Sequence, residues 1–525
     1  MHGSAARPRL RLMKDVLEIA RRIAPKSAQE GLDIFLEAYY SNVGLDDLRE
    51  RTPEELAGAA VSHLGLAARR EPGEPKVRVY NPTEAQHGWS SSHTIVEVVT
   101  DDMPFLVDSL GMVINRHGLY IHLTVHPIIV VRRGRTGRLL AIAEETGERG
   151  AQVESFMRFE IDRESDPEIF TEMEGAIESV LGDVRAACED WLQMRQKAVD
   201  ACRELELSPP PLQETVIGEA KAMLEWMEDD HFTFLGYREY ELVKGDEFDT
   251  VKAIPETGLG ILRRPSANER QATVISRAIR RQVRSRDLLL ITKANARSTV
   301  HRDGYLDYIG VKHFDQNGRV VGEKRFLGLF TSVAYSRSPR GIPVLRHKIQ
   351  RVMANSGLPP TSHGGKALLH ILETFPRDEL FQASVEELSR ITSGIQALQE
   401  RQRVKLFVRR DAFRRFFSCL VFVPRERYNT QVRERIQTIL MAGLNGVSVE
   451  SEIQMSESKL ARVQIIVRSD PENLPRVRLA ALESTIAQAV RTWQDDLKDE
   501  LVDRFGEEEG LRLNREYSEV FPAAY

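Results

Sequence analysis

The sequence predicts an α+β, multidomain fold: two ferredoxin-like (βαββαβ) units flank a mixed α/β module, and helical segments join them. Three observations carry this. A β-α-β-β-α order occurs twice, near residues 93–205 and near 405–505. A strand-rich stretch lies between the two copies. The chain has 525 residues, where one domain usually takes roughly 100–200.

Taken in order, residues 1–72 form an N-terminal helical segment. Leu12, Val16, Ile19 and Ile23 recur at helical spacing, as do Leu32, Phe35, Leu36 and Tyr39. Thr52-Pro53-Glu54-Glu55 reads as a helix start, with a capping threonine, proline at the first helical position and acids in the first turn. The first ferredoxin-like unit spans 73–207. It opens on a polar stretch with a short strand at Val77–Tyr80. The strand HTIVEVVT follows, then the turn DDMPF and an amphipathic helix with Leu106, Leu110, Val113 and Ile114 on one face. Further strands come next, and one long helix over about 167–206 closes the unit.

Prolines 209–211 break the chain. The mixed α/β module, 212–337, starts with a helix over 215–229. Its strands are FTFLGYREYELV, LLLITK, YLDYIGVKHF and VVGEKRFLGLFTSVAY, and DQNG at 315–318 suits a hairpin. Residues 338–403 are a helical connector. The second ferredoxin-like unit, 404–510, has the strands KLFVRR, FFSCLVFVPRE, VSVESEIQ and ARVQIIVR around the helix TQVRERIQTILMAGL, and a helix follows from about 475. Residues 511–525 read as a truncated linker. The two copies share no sequence pattern, so topology alone supports a repeat.

Composition narrows the function classes. Hydrophobic content is 42% and net charge −5, so there is no global drive toward nucleic acid or an anionic membrane, and neither is expected as a partner. The basic first residues lack the apolar core of a signal peptide. Apolar runs such as IIVV at 128–131 fall far short of the roughly 20 residues a membrane helix needs. The three cysteines, Cys188, Cys202 and Cys419, form no C-x-x-C pair, which fits a reducing cytoplasm.

The chain shows no catalytic signature. No G-x-G-x-x-G follows a strand, so no dinucleotide cofactor is expected to bind here. GLG at 258–260 reads as a turn. SHGGKA at 362–367 has neither the spacing nor the preceding strand of a phosphate loop and reads as a glycine-rich helix start. No H-E-x-x-H or Cys/His cluster occurs, so no metal is expected. His122 and His126 alternate with apolar residues, which puts them on one strand face. Residues 263–302 hold ten arginines and Lys293 against Glu269 and Asp287, a net of +9. RAIRRQVRSRD within it would wrap a helix in basic residues. Docking on an acidic surface of the same protein or a neighbouring subunit is the favoured reading, with phosphate or nucleotide contact the other.

The sharpest candidate binding segment is Asp101-Asp102-Met103-Pro104-Phe105-Leu106, between strand and helix. A helix start leaves backbone N–H groups free to hold a carboxylate. Asp101 and Asp102 can hold an amino group, and Pro104 suits the first helical turn. The plainer alternative is that the acids only cap the helix.

TDDMPFLVDSLGMVINRHGLYIHLTVHPIIVVRR resembles the N-terminal region of the large bacterial NAD-specific glutamate dehydrogenases. So do HFTFLGYREYEL, the span from LLLITKANARSTVHR to YIGVKHF, EKRFLGLFTSVAY, PRDELFQASVEEL and FVRRDAFRRFFSCLVFVPRERYNTQVRERI. The similarity runs from about residue 10 to the end. It implies that both ferredoxin-like units are ACT-like domains and that the full-length enzyme oxidises L-glutamate, with NAD and water, to 2-oxoglutarate, ammonia and NADH in glutamate catabolism. The catalytic domain would lie beyond FPAAY, leaving no catalytic or cofactor-binding residue in this chain. ACT domains bind amino acids at the turn after the first strand, where a glycine follows proline. Phe105 takes that place here, and VPRERYN at the second turn also lacks the glycine. The resemblance thus implies a regulatory and oligomerisation region, a homo-oligomer, open to an amino-acid or carboxylate effector. A stand-alone ACT-type amino-acid sensor and a purely structural assembly module remain as alternatives.

Overall fold

A computed structural model describes residues 6–143, 150–245, 248–264, 273–398, 401, 403–454 and 458–520. The first unit is a six-stranded antiparallel sheet. Its strands are β1 (Lys76–Tyr80), β2 (Thr94–Asp101), β3 (Ile121–Val125), β4 (Ile128–Arg133), β5 (Leu139–Ile142) and β6 (Ala151–Ile161), in the order β1-β2-β6-β4-β5. β3 also pairs with β6, on the half that β4 leaves free, so β3 and β4 are one long strand interrupted at His126-Pro127.

Both faces of this sheet are covered, which is why β2 reads as a nearly unbroken apolar, β-branched run. The helices Leu106–Arg116 and Pro167–Glu189 pack on Val96, Val98, Met157 and Phe159. The N-terminal helices pack on Val99, Ile129, Val131 and Phe156 through Val16, Phe35, Leu36, Tyr39 and Leu64. The N-terminal helices, between Ala6 and Leu66, are therefore one layer of the first unit and share its core. The capping box at Thr52 and Glu55 forms as the sequence predicts. Ile23, placed on the apolar stripe by spacing, is instead exposed.

The middle module is a seven-stranded antiparallel sheet: β7 (Phe232–Val243), β8 (Asp249–Ala253), β9 (Leu259–Gly260), β10 (Thr273–Ile275), β11 (Leu289–Arg297), β12 (Tyr305–Phe314) and β13 (Val320–Phe330). One face packs under the helices Trp191–Leu207 and Glu214–Trp226. The other contributes Leu235, Leu306, Leu327 and Leu329 to the core that surrounds the helix Pro167–Glu189 of the first unit. The DQNG hairpin forms: Gly318 sits at φ 71°, and Asp315 accepts from the N–H groups of Asn317 and Arg319. The connector helices, Leu345–Ser356, His363–Glu373, Arg377–Gln382 and Val385–Leu398, lie between this module and the second unit. Ser362 caps the glycine-rich helix start by accepting from the Gly365 N–H.

The second unit has four strands, β14 (Lys405–Arg410), β15 (Phe416–Pro424), β16 (Gly446–Gln454) and β17 (Leu460–Ser469), in the order β14-β15-β17-β16, all antiparallel. The helices Thr430–Gly443 and Leu479–Ala489 cover one face. Each unit runs strand, strand, helix, strand, strand, helix, with equivalent sheet order apart from the extra edge strand β5. The expected βαββαβ order is not the chain order seen. The edge strand that this pattern would bring last comes first, as β1 and β14, by a hairpin-like return onto its neighbour.

Other expectations are corrected by local detail. The long helix over 167–206 is two helices, Pro167–Glu189 and Trp191–Leu207, meeting at Asp190. There Asp190 turns to accept from the Gly260 N–H and from Arg263. Gly258–Gly260 is not a plain turn, because Leu259–Gly260 pairs with β7. TSVAY is not strand: Ser332–Ser336 is a helix. The basic helix is short, Arg277–Val283. Residues 511–517, expected as linker, continue the helix Glu507–Tyr517. FPAAY and the Glu269–Arg270 part of the arginine-rich stretch lie outside the described residues. No described helix is long and apolar enough to cross a membrane.

Candidate functional site

Two adjoining cavities lie where the middle module, the connector and the second sheet meet. β11 and β12 are joined by Ser298–Gly304, a tight loop held by the Ser298 hydroxyl, which donates to the Val300 carbonyl at 2.6 Å, and by the Ser298 N–H on the Gly304 carbonyl. On β11, Lys293 faces Asp307 of β12 in register. Its Nζ lies 2.7 Å from Asp307 Oδ1 and 3.2 Å from Asp378 Oδ2 on the helix Arg377–Gln382. Burial opposes the charge on Lys293, but Asp378 and Asp307 outweigh it and hold the ammonium above the ordinary lysine range. Asp307 also accepts from the Phe330 N–H, and burial nonetheless raises its carboxyl.

The opposite wall is the second sheet. Period-two alternation on β17 turns Arg462, Gln464, Ile466 and Arg468 to one face, while Val463, Ile465 and Val467 enter the unit's own core. The Arg468 guanidinium lies over the Tyr305 ring, 3.3 Å from its centroid. Arg297 bridges the two walls through Asp303 and Glu450. Together these groups enclose a cleft of about 1040 Å3, which Arg302, Tyr335 and Glu452 also line. A second cavity of about 580 Å3 adjoins it and shares Tyr335, Ser336, Asp378, Glu452 and Gln464. Arg468 Nε, His301 Nδ1 and Thr331 Oγ1 are buried in the wall without a hydrogen-bond partner among the described residues.

The sequence-predicted segment lies elsewhere, at the end of β2. Asp101 takes Arg70 at 2.6 Å on one carboxylate oxygen and Arg185 at 2.7 Å on the other. Burial pushes its carboxyl up, but the two arginines win and hold it below the usual range. Asp102 accepts from the Ser155 hydroxyl at 2.6 Å. Neither acid caps the helix, which starts at Leu106 with Pro104 ahead of it rather than in its first turn. Phe105 stands before the helix at φ 72°, in the left-handed region. Its ring lies 4.8 Å from that of His301. Met103 and Phe105 pack against the core that holds Leu106. The His301 N–H donates to Ser109, and Arg116 reaches the Ser298 carbonyl and Asp303. The turn is thus clamped onto the same 298–304 loop that rims the cleft.

Part of the arginine-rich stretch is neutralised inside the molecule. Arg280 and Arg284 both hold the buried Asp249, and the Arg284 hydrogen bond draws that carboxyl down to about 2. Arg263 pairs with Glu189 and Asp190. His122 pairs with Asp162 at 2.7 Å and His126 with Ser155 at 3.2 Å. Among the described residues no group of three or more His, Cys, Asp or Glu could hold a metal. Cys188, Cys202 and Cys419 are free thiols. The cleft itself was not legible by motif, because its residues come from separate segments spread between Lys293 and Arg468. Its one sequence signal is the alternation of arginines with β-branched residues in ARVQIIVRS.

The two repeated sheets, each with helices behind it, define a chain built on paired α/β units. Family models agree. Residues 35–177 match the ACT1 domain of glutamate dehydrogenase, 342–401 its helical motif 1, 405–494 its ACT2 domain and 500–525 its helical motif 2. The chain is 38% identical to an NAD-specific glutamate dehydrogenase of Halomonas elongata over its whole length and 33% of that protein. It is 38% identical to one of Pseudomonas aeruginosa over 97% of the chain and 31% of that protein. With one of Mycobacterium tuberculosis the identity is 27%, over 83% of the chain and 26% of the relative. The chain belongs to the family of the large bacterial NAD-specific glutamate dehydrogenases, and it spans about a third of the length of these relatives.

Proposed function

We propose that these 525 residues are the N-terminal regulatory and oligomerisation region of an NAD-dependent glutamate dehydrogenase. In this reading the chain holds no catalytic group and no NAD; the cofactor and the oxidation of L-glutamate belong to a catalytic domain elsewhere in the full-length enzyme. The setting is cytoplasmic, the partner is a second copy of the chain, and the ligand is an amino-acid or carboxylate effector. Both ACT domains are then ferredoxin-like sheets whose edge strand has moved to the front of the unit.

One observation carries the regulatory reading. The loop Ser298–Gly304 rims the cleft against the second ACT unit and also clamps the Asp101–Leu106 turn of the first, through His301 on Phe105 and Ser109. An effector in the cleft would therefore touch an element shared by both units, and it shifts the enzyme by binding two arrangements of that element unequally. The role of Asp101–Leu106 is coupling rather than primary ligand capture, since both its carboxylates already have partners.

The test compares this chain with the full-length enzyme. Glutamate-dependent NADH formation, followed by absorbance, is expected only for the latter, and Phe105→Ala in it should alter the response to effector more than the rate without effector. NAD reduction by the 525-residue chain alone would refute the proposal.

A further inference from the structure

Several buried arginines of this protein are spent on internal carboxylates: Arg70 on Glu154, Arg78 on Glu97, Arg409 on Glu379 and Arg415 on Asp411. Four arginines around the double cleft are not. Arg302 donates to the Phe330 carbonyl. Arg377 donates to the carbonyls of Tyr335 and Arg337. Arg462 donates to the Thr374 carbonyl. Arg468 stacks on Tyr305. None of the four has a carboxylate within ion-pair distance among the described residues. The acids of the same walls are already engaged: Asp378 by Lys293, Glu379 by Arg409 and Glu450 by Arg297. Glu452, which is exposed, and Glu373, which accepts from the Ser338 hydroxyl, are left.

Backbone carbonyls satisfy single N–H groups of these guanidinium ions but leave their charge uncompensated in a partly buried setting, which is costly. Burial holds Arg377 and Arg468 below the ordinary arginine range and pushes Arg462 down to about 10. An anion entering the cleft would remove that penalty. Arg468 Nε and the Nε and one terminal nitrogen of Arg377 are buried without a hydrogen-bond partner among the described residues, and both residues line the double cleft. The larger lobe adds the aromatic walls Tyr305, Tyr335 and Phe416, and its size lies at the upper end of the roughly 300–1,000 Å3 usual for small-molecule sites.

We propose that the double cleft binds a small organic polyanion, with one anionic group held by Arg302 and Arg468 in the larger lobe and a second directed toward Arg377 and Arg462 in the smaller. Carboxylate and phosphate oxygens both match the guanidinium fork, so the ligand is a polycarboxylate or an organic phosphate. The inference rests on the reading of the cleft as the effector site and specifies its ligand chemistry.

The experiment is calorimetric titration of the 525-residue chain with glutarate, tricarballylate, inorganic phosphate and AMP at fixed ionic strength. At least one organic anion is expected to bind with Kd of about 1 mM or tighter. The carboxylate and phosphate arms decide which group the site takes. Arg302→Gln and Arg468→Gln should each weaken that binding about tenfold, the loss of one charge-assisted hydrogen-bonding partner. Lys366→Gln, exposed and outside the cleft, should leave it unchanged. Hydrogen exchange on the unsubstituted chain is the check independent of folding: the ligand should protect 298–305 and 462–468. No binding by any probe up to about 10 mM, binding by both arginine variants as tight as that of the unsubstituted chain, or protection confined to other segments would overturn the inference. Binding here without any effect on the full-length dehydrogenase would sink the regulatory reading and leave this one standing.

Discussion

Lys293 and Asp307 face each other across two antiparallel strands, Nζ to Oδ1 at 2.7 Å, with Asp378 closing the other side of the ammonium at 3.2 Å. The Asp307 side chain is 3% exposed. One cation therefore compensates two carboxylates: Asp307, which is cut off from water, and Asp378, whose side chain is 32% exposed.

Lys293→Met would leave Asp307 buried against the apolar core and Asp378 without its ammonium. Removing one partner of a buried ion pair costs about 3–5 kcal/mol. The partial exposure of Lys293 puts the expected loss at the lower end, about 3 kcal/mol, read as a fall in urea midpoint at unchanged slope. A loss below about 1 kcal/mol would mean that the pair behaves as a surface bridge.

His63 sets a pH dependence. It is fully buried beneath the N-terminal helices, its Nδ1 2.9 Å from the Tyr39 hydroxyl and its Nε2 3.2 Å from the Val98 carbonyl. With Nε2–H donating to that carbonyl, Nδ1 accepts from Tyr39, so the ring is held neutral. Burial pushes its pKa down to about 4, although Glu97 works the other way. The unfolded chain binds this proton near pH 6.5 and the folded chain does not. Stability from this site is thus fully present above pH about 6.5 and falls as pH drops toward 4, by about 3 kcal/mol in all. His63→Gln should remove most of that slope. Urea midpoints of the two proteins at pH 7 and pH 5 decide it; equal slopes would exclude His63 as the source.

Strand patterning exposed most of the fold. The β-branched and aromatic runs around 94–101, 232–243, 305–314 and 416–424 all became strands, because an element buried on both faces must be apolar throughout. The strand order escaped the sequence. KVRVY and KLFVRR are short, half-charged edges, and only pairing with β2 and β15 shows that each precedes its unit instead of closing it. TSVAY failed for another reason. Thr, Val and Tyr favour strands, but the Thr331 N–H bonds the His231 carbonyl, and the chain turns there into a helical turn beneath the connector. The acids Asp101 and Asp102 looked like helix caps or ligand groups because their arginine and serine partners lie far away in sequence. Long-range pairs of this kind leave no local pattern.

The last prediction concerns Phe105. A phenylalanine at φ 72° carries backbone strain of about 1 kcal/mol or more that glycine would not. It persists because the ring packs on His301 and on the core around Leu106. Two substitutions separate these terms. Phe105→Gly loses the ring but relieves the strain, for an expected net loss of about 1 kcal/mol. Phe105→Ala loses the ring and keeps the strain, for about 2–3 kcal/mol. Glycine should therefore be the milder change, the reverse of the usual ranking in which alanine is the safer truncation. In both variants hydrogen exchange should rise in 298–304, the loop that the ring braces. If Phe105→Ala is the more stable of the two, the left-handed backbone is not what this residue is holding.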